Sequence, residues 1–379
     1  MIEIVPVKTR AQEMIFIRFA NKMYKSCPYY TPCLEFDDIN TFRSRKNPAL
    51  DHSEFVRFLA YKDGRVVGRI CGIINHIANQ KWNVKKCRFG WFDFEDDFEI
   101  SETLLNAVAD WGRANGMELL NGPVGFTDFD HEGLLLEGYE YYAPMASLYN
   151  FPYYVMHYER LGFTKEADWI EMQYPTPAEV PERYRKVSEM LTERLGVRVD
   201  KVKSVKELKK KYGMTYFDVL DSAYQKLYNF QPLTERQKHY YTNMYFPLLN
   251  FDFVTIIVNR QNEIVGVGLG MPDISKELKE TNGKILPFGW IKLLKAFRRK
   301  QFDVLDLLLI AVREDYQNTG INALFFNDMI PYFIKYGVKY AESTSVLETN
   351  YKMLSQFNKH FEYKQHKRRR AYIRSLILN

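Results

Sequence analysis

Cysteine is scarce in this chain of 379 residues, and no two of its four cysteines form a C-x-x-C pair. That spacing excludes a disulfide framework and a zinc site as expectations. We therefore expect four free thiols in a reducing compartment, and no bound metal. The cysteines are Cys27, Cys33, Cys71 and Cys87.

Long hydrophobic runs are also missing. The longest apolar stretch, Val304 to Val312, is interrupted by Asp306 and is far shorter than the roughly 20 residues that cross a bilayer as a helix. The N-terminus, MIEIVPV, has neither a basic region nor an extended apolar one, so no signal peptide is expected. These absences predict a cytoplasmic protein.

Nucleic-acid signatures are absent as well, since the sequence has no zinc-finger spacing and no RNP-like segment. The formal net charge of +6 is a mild excess that permits an anionic partner without requiring one. Aromatic residues, in contrast, are abundant, with 27 Tyr and 27 Phe. They allow large cores, and the excess can line an apolar ligand site.

The chain is predicted to fold as two α/β domains, because the same order of elements occurs twice. Each half is predicted as strand, helix, hairpin, strand, helix, strand, helix and strand. Asp63-Gly64 marks the first hairpin turn. Three prolines within 175–181 mark the boundary, giving domains at 1–177 and 178–379. The basic segment 366–374 is predicted as an edge strand protected by its charge.

The segment 307–324, LLLIAVREDYQNTGINAL, is the most informative one. An apolar strand leads into a polar turn, a glycine and a helix. Backbone N–H groups at a helix N-terminus bind anions, and the helix dipole strengthens that binding. Gly320 lets the backbone approach a phosphate closely.

This segment resembles the GCN5-related N-acyltransferase (GNAT) superfamily, whose turn Gln/Arg-x-x-Gly-x-Gly/Ala holds the pyrophosphate of coenzyme A. Gln317 and Gly320 match, and Asn322 stands where Gly or Ala is usual. The resemblance implies two tandem GNAT domains, each a mixed, mostly antiparallel sheet flanked by helices. It implies acetyl-CoA or a longer acyl-CoA as co-substrate. The implied contacts are Ala311, Val312, Gln317, Asn318, Thr319, Gly320, Ile321, Asn322, Ala323 and Asn350.

The first half carries a complementary remnant of the same superfamily. The run 158–163, YERLGF, resembles the YxxxGF ending of a GNAT domain. Its turn after the strand 87–94 reads Glu95-Asp96-Asp97, and three carboxylates would repel a pyrophosphate. We therefore expect only the second half to hold acyl-CoA.

Longer stretches resemble a paired-domain bacterial family that includes bacterial ceramide synthase. They are 116–140, 149–154, 272–278 and 284–294. This resemblance implies an N-acyltransferase acting on an amine, with a sphingoid-base-like lipid amine as one acceptor class.

An amine must lose a proton to attack a thioester, so the reaction needs a base. The catalytic candidates are His131 and Glu132 in the Gly-rich loop 122–138, with Glu348 and Tyr351 in the second half. His131 can equally be a surface histidine, and Glu348 can cap a helix. Glu342 and Tyr372 are further candidates. Phe357 occupies the position at which the superfamily often has a proton-donating tyrosine.

The segment 286–300, LPFGWIKLLKAFRRK, has an apolar helical face and several basic residues. It can lie on an anionic membrane surface or pack on its own domain with a solvated basic side. Two other functions stay open for the whole chain. One is an aminoacyl-tRNA-dependent transferase, which also pairs two such domains. The other is a non-catalytic module that binds CoA or a lipid.

Overall fold

The computed structural model describes residues 1–358 and 361–377, except the side chains of 352 and 356–358. The side chain of Phe357, which stands at the expected proton-donor position, is one of those that are not described. No helix in the described part of the chain is long and apolar enough to cross a membrane.

The first half begins with a strand, a helix and a hairpin. Thr9 starts the first helix with a capping box that includes Gln12. Asp63 and Gly64 turn the hairpin with φ of 51° and 76°, the left-handed values of a type I′ turn. The elements are β1 (Ile2–Pro6), α1 (Arg10–Met23), α2 (Glu35–Thr41), β2 (Ser53–Lys62), β3 (Arg65–Asn75), α3 (His76–Trp82), β4 (Lys86–Phe94), α4 (Phe98–Ala114), β5 (Leu119–Gly122), β6 (Leu134–Glu137), α5 (Tyr153–Arg160) and β7 (Thr164–Pro175).

The second half has a similar order after an added helix at its start, and two helices lie between its third and fourth strands where the first half has one. Gly196 and Gly337 follow helices in the left-handed region, as expected of C-terminal caps. The elements are α6 (Glu182–Leu195), β8 (Arg198–Val199), α7 (Val205–Tyr212), α8 (Tyr216–Tyr224), α9 (Glu235–Tyr245), β9 (Val254–Val258), β10 (Ile264–Pro272), α10 (Ser275–Thr281), α11 (Gly289–Phe297), β11 (Val304–Val312), α12 (Asn322–Lys335), β12 (Tyr340–Ser343), β13 (Val346–Leu347), α13 (Tyr351–Asn358) and β14 (Lys364–Ser375).

One sheet runs through both halves of the described chain, in the order β1-β2-β3-β4-β5-β14-β7-β12-β11-β10-β9-β8. The last strand, β14, lies between β5 and β7, so it completes the sheet of the first half. β7 belongs to the first half but pairs with β12 of the second. The two halves therefore exchange strands across residue 177, and the division into domains at that residue stays a prediction.

The expectation of an edge strand at 366–374 is wrong, because β14 is paired on both sides. Several of its charges are buried or half-buried and pair with Asp168 and Glu171 of β7. Arg369 and Glu171 are both fully buried and form an ion pair. Arg370 binds Asp168 through Nε at 2.7 Å. The basic residues of β14 thus form ion pairs inside the sheet, because a buried charge is tolerated only when it is paired.

The Arg369–Glu171 pair provides a test of the exchanged strands. Burial alone would raise the pKa of Glu171, but the charges of Arg369 and Lys367 hold it below its usual value. We expect Arg369→Met to lower the free energy of unfolding by about 3 kcal/mol near neutral pH, because it leaves a buried charge poorly compensated. The deficit should shrink as pH falls and Glu171 takes up a proton.

Urea denaturation followed by circular dichroism at several pH values measures this loss. The matched control is Arg65→Met, which breaks an exposed pair with Glu95 and should change stability little. Equal stability of the two variants at neutral pH would contradict a central role for the pair.

Candidate functional site

Two parallel strands of the second half separate and create a gap in the sheet. β11 and β12 pair only from Val304–Tyr340 to Leu307–Ser343. After Thr344, whose N–H donates to the carbonyl of Leu307 at 3.2 Å, the chain leaves β11, and β13 pairs with β7 instead. A register shift opposite Leu308 bulges β11 at the same point. The remainder of β11 therefore presents one backbone edge to the gap.

The pattern of hydrogen bonds shows which groups face this gap. The N–H of Arg313 donates to Val265 on β10, so by alternation Ile310 and Val312 point their backbone groups away from β10. Their carbonyls accept from Tyr224 Oη and Gln317 Nε2, each at 3.1 Å. No strand in the described part of the chain pairs with their N–H groups. Two donors thus stand in a row along the gap.

The polar turn after β11 leads directly to helix α12. Asn318 and Gly320 have φ of 62° and 89°, which reverses the direction of successive peptide groups. Within the described residues, no acceptor meets the backbone N–H groups of Gly320 and Ile321. Such outward N–H groups at a helix N-terminus bind anions. The buried side chain of Ile321 anchors the turn in the core below.

A cavity of about 740 Å³ adjoins the gap. Leu307 to Ile310 of β11, Ser343 to Leu347 and Asn350 form one wall. Apolar side chains of α8, α9 and α11 line another part, including Phe217, Leu220, Tyr241, Trp290 and Leu293. The first half closes the cavity with residues 128–132 and 145–147. The two halves therefore share one mainly apolar cavity.

Carboxylates gather at the side of the cavity formed by the first half: Asp37, Asp38, Asp128, Asp130 and Glu132. Burial raises the pKa of Asp128 to about 7 and that of Asp37 to about 6. Burial and the neighbouring Asp128 raise the pKa of Glu132 well above its usual range. Near neutral pH some carboxyls of this group are therefore protonated and others are negatively charged. The group can bind a cationic amine.

Buried Arg88 keeps the carboxylate group in place. Its guanidinium donates to the carbonyls of Gly125 and Phe126 and to Asn229 Oδ1 at 2.7 Å. Asn229 lies in the second half, so this arginine ties the loop of the first half to the second. Its charge also lowers the pKa of Asp128 and Glu132, opposing the effect of burial.

His131 lies within the carboxylate group and lines the cavity. Its Nε2 lies 2.9 Å from the carbonyl of Met145. Because a carbonyl only accepts, Nε2 must carry a proton. In the neutral ring, Nδ1 is then the nitrogen with a free lone pair, and it can accept a proton.

The structure brings only some of the predicted site residues together. His131, Glu132 and Asn350 line the cavity, and Gln317 to Asn322 form the turn. Ala311 faces the core, and its backbone pairs with Val267 on β10. Ile310, which is not among the predicted cofactor contacts, presents its N–H to the gap instead. The bulge at Leu308 determines which residues of β11 point their backbone groups towards the gap, and the sequence does not predict the bulge.

The other candidates lie elsewhere. Glu348 binds Arg368 Nη1 at 3.0 Å and also Lys165, and Tyr351 is 73% exposed. Tyr372 packs on Tyr158 in the core of the first half. Glu342 pairs with His366 and Lys367, and despite burial these partners lower its pKa to about 2. None of these four lines the cavity. Asp128 and Asp130 were missed, although they stand in the same short run as His131.

The equivalent gap of the first half is filled by its own side chains. β4 and β5 pair from Lys86–Leu119 to Arg88–Asn121. Beyond that point, Phe94 donates its N–H to Tyr154 Oη at 3.0 Å and accepts from Tyr153 Oη. In the turn that follows, Asp97 caps α4. Tyrosines and carboxylates thus occupy the places that the second half leaves open.

Comparisons with known proteins agree with this architecture. A tandem GNAT protein from the clavulanic acid biosynthesis pathway superposes with a TM-score of 0.57 at 10% identity, and the alignment covers 100% of both chains. A glucosamine N-acetyltransferase region of a fungal multi-domain GH3 β-N-acetylglucosaminidase gives a TM-score of 0.56 at 10% identity, covering 99% of this chain and 38% of that one. The chain thus has the tandem GNAT fold, and the predicted fold class is confirmed.

Two curated proteins are similar in sequence over most of the chain. Protein YghO of Escherichia coli (strain K12) is 26% identical over 347 residues, covering 88% of this chain and 86% of that protein. Bacterial ceramide synthase of Caulobacter vibrioides (strain NA1000 / CB15N) is 26% identical over 322 residues, covering 84% and 82%. The predicted resemblance is confirmed by this similarity. No family model matches the chain.

Asp128 allows the electrostatics of the cavity to be tested. Its ordinary pKa is 3.8, and burial raises it to about 7 in the folded protein. The folded state therefore binds the proton more tightly, and the stability from this group is lost as pH rises from about 4 to 7. Between about pH 4 and 7, the unfolding free energy of Asp128→Asn should therefore fall by about 1–2 kcal/mol less than that of the wild type.

Urea denaturation across this pH range measures the difference. Asp63→Asn, which replaces a carboxylate in an exposed hairpin turn, is the matched control. A wild-type profile parallel to that of Asp128→Asn would show that Asp128 titrates normally.

Proposed function

We propose that this protein is an acyl-CoA-dependent N-acyltransferase that acylates a lipid-like amine, with sphingoid bases as the acceptor class. One observation carries the proposal: a single apolar cavity joins the β11 gap to the carboxylate group. A thioester in the gap and an amine at the carboxylates would share that cavity, and hydrocarbon chains would contact its apolar walls. The similarity to bacterial ceramide synthase supports the same acceptor class.

The second half would hold the acyl-CoA. The free N–H groups of Gly320 and Ile321 suit the diphosphate, and the dipole of α12 adds to the attraction. Along the gap, the N–H groups of Ile310 and Val312 suit the carbonyls of the pantetheine arm and the thioester. A donor aimed at the thioester oxygen would also stabilise the negative charge that develops during attack.

The first half would hold the acceptor. A protonated amine would pair with the carboxylate group and then pass a proton to Nδ1 of His131, or to Glu132, before attack. The amine nitrogen would form a bond to the thioester carbon, and the carbon–sulfur bond would break. The products would be an amide and the thiol of coenzyme A.

Tyr224 suits the return of a proton to the departing sulfur. It lines the cavity, its hydroxyl lies 3.1 Å from the carbonyl of Ile310, and burial raises its pKa. It therefore remains protonated over the working pH range. This tyrosine comes from α8, whereas the superfamily position at 357 holds phenylalanine.

The turn can be tested by changing Gly320. A Cβ at this position would lie 3.6 Å from Val187, which is ordinary contact, so only the positive φ strains a larger residue. Gly320→Ala and Gly320→Glu share that strain, but only the second adds a negative charge beside the diphosphate. We expect Gly320→Glu to weaken CoA binding by at least a hundredfold and Gly320→Ala by less than tenfold.

Isothermal titration with coenzyme A gives both values. Asp96→Asn in the turn of the first half is the control and should leave binding unchanged. Unaltered CoA binding by Gly320→Glu would show that coenzyme A does not bind at this turn. Mass spectrometry of ligand retained by the purified protein then reports the acyl length.

The acceptor side is tested at His131. We expect His131→Ala to lower kcat by about a hundredfold or more with a long-chain acyl-CoA and sphinganine, since a positioned base contributes roughly that much. CoA affinity should stay at the wild-type value, because the turn is untouched. Product formation is followed by liquid chromatography and mass spectrometry.

His239→Ala, on α9 and away from the cavity lining, is the control for this assay. An unchanged kcat for His131→Ala would assign the base to another group. Turnover of small water-soluble amines but not of sphinganine would overturn the acceptor class. Tight CoA binding without turnover of any amine would favour a binding module.

A further inference from the structure

The mouth of the cavity is defined by side chains that line it and also contact solvent. Phe129, Leu248, Trp290 and Leu294 meet both conditions. Two of them belong to α11. Four large apolar side chains therefore lie where the cavity meets solvent, which is an unusual surface for a site that would admit only small polar ligands.

The segment that precedes α11 extends this apolar surface. Leu286 is 77% exposed and Phe288 is 71% exposed. A defined turn presents them, in which Trp290 N–H donates to the carbonyl of Ile285 at 2.8 Å. The buried residues Leu293, Ala296 and Phe297 pack on α10 and fix the other face of α11. The helix thus has a core side and a separate, unpartnered apolar side within the described residues.

The segment that carries the exposed apolar residues also carries exposed basic side chains. Lys284, Lys292, Lys295, Arg298 and Lys300 are all exposed on the same segment. Lys292 pairs with Glu280 at 2.9 Å, and Arg299 pairs with Glu277. The remaining excess of positive charge lies on a short stretch of chain, where it can attract an anionic surface within a Debye length.

We propose that residues 284–300, named here the docking segment, bind the surface of a bilayer that contains anionic lipid. Leu286, Phe288 and Trp290 enter the interface, and the basic side chains contact the headgroups. The cavity mouth then faces the membrane. The docking stands on exposure and charge alone; passage of a lipid amine through the mouth rests on the function proposed above.

Vesicle co-sedimentation tests the docking with the full chain. We expect the protein to sediment with vesicles of phosphatidylcholine and phosphatidylglycerol, and at least tenfold less with phosphatidylcholine alone. Leu286→Glu combined with Phe288→Glu should lower binding at least tenfold. Lys295→Glu combined with Lys300→Glu should remove the preference for anionic lipid.

Matched controls separate docking from general surface changes. Met156→Glu combined with Met190→Glu alters two other exposed apolar residues and should leave vesicle binding unchanged. Brominated lipids report depth: they should quench fluorescence in the wild type and much less in Trp290→Phe. Equal quenching in both proteins would overturn the insertion of Trp290.

Two results would overturn the proposal. One is vesicle binding by the wild type that is no stronger than that of the Leu286→Glu, Phe288→Glu variant. The other is a wild-type dimer, seen by light scattering, that the same variant converts to a monomer without any change in vesicle binding; a second copy would then cover the segment. CoA titration keeps this outcome distinct from failure of the proposed function. The two charge-introducing double variants of the docking segment lie outside the cavity lining and should bind CoA normally.

Discussion

The antiparallel pair of β7 and β14 is the constraint on which the rest of the structure depends. Each strand comes from one half of the chain and pairs within the other half's sheet, so neither sheet is complete alone. The buried pair Arg369–Glu171 sits at this junction. Because backbone ladders and a buried ion pair tolerate little displacement, the exchange fixes the two halves relative to each other. That fixed relation places residues 128–132 opposite β11 and so creates the shared cavity.

The two halves use one fold for different purposes. In both, a pair of parallel strands separates after three or four residues. In the second half the backbone N–H groups of Ile310 and Val312 stay open to a ligand, while their carbonyls accept from side chains. In the first half the hydroxyls of Tyr153 and Tyr154 satisfy the backbone of Phe94. Unpaired backbone N–H and carbonyl groups are destabilising when they are buried. The filled gap therefore stabilises the first half, whereas the open gap leaves the second half able to bind a ligand.

Much of the fold was predictable from sequence because local signals and the repeated element order agree. The turn at Asp63-Gly64, the strand before Arg313 and the helix after Gly320 follow from turn chemistry and apolar runs. The exchange of β14 was not predictable. Its basic residues matched an edge strand, and their carboxylate partners on β7 lie far away in sequence. The site was also predicted only in part. The sequence pointed to His131 and Glu132. The outward N–H of Ile310 depends on the bulge in β11, and the raised pKa of Asp128 depends on its burial, so neither could be predicted.

The strand exchange also affects how the molecule forms during synthesis. A ribosome delivers the first half of the chain long before β14, which contains 12 residues near the C-terminus. Until those residues emerge, β5 and β7 have no strand between them, and their unpaired edges stay open to solvent. The first half of this protein therefore cannot complete its fold before the second half is made, as N-terminal domains usually do. The sheet of the first half can be completed only once β14 has been made.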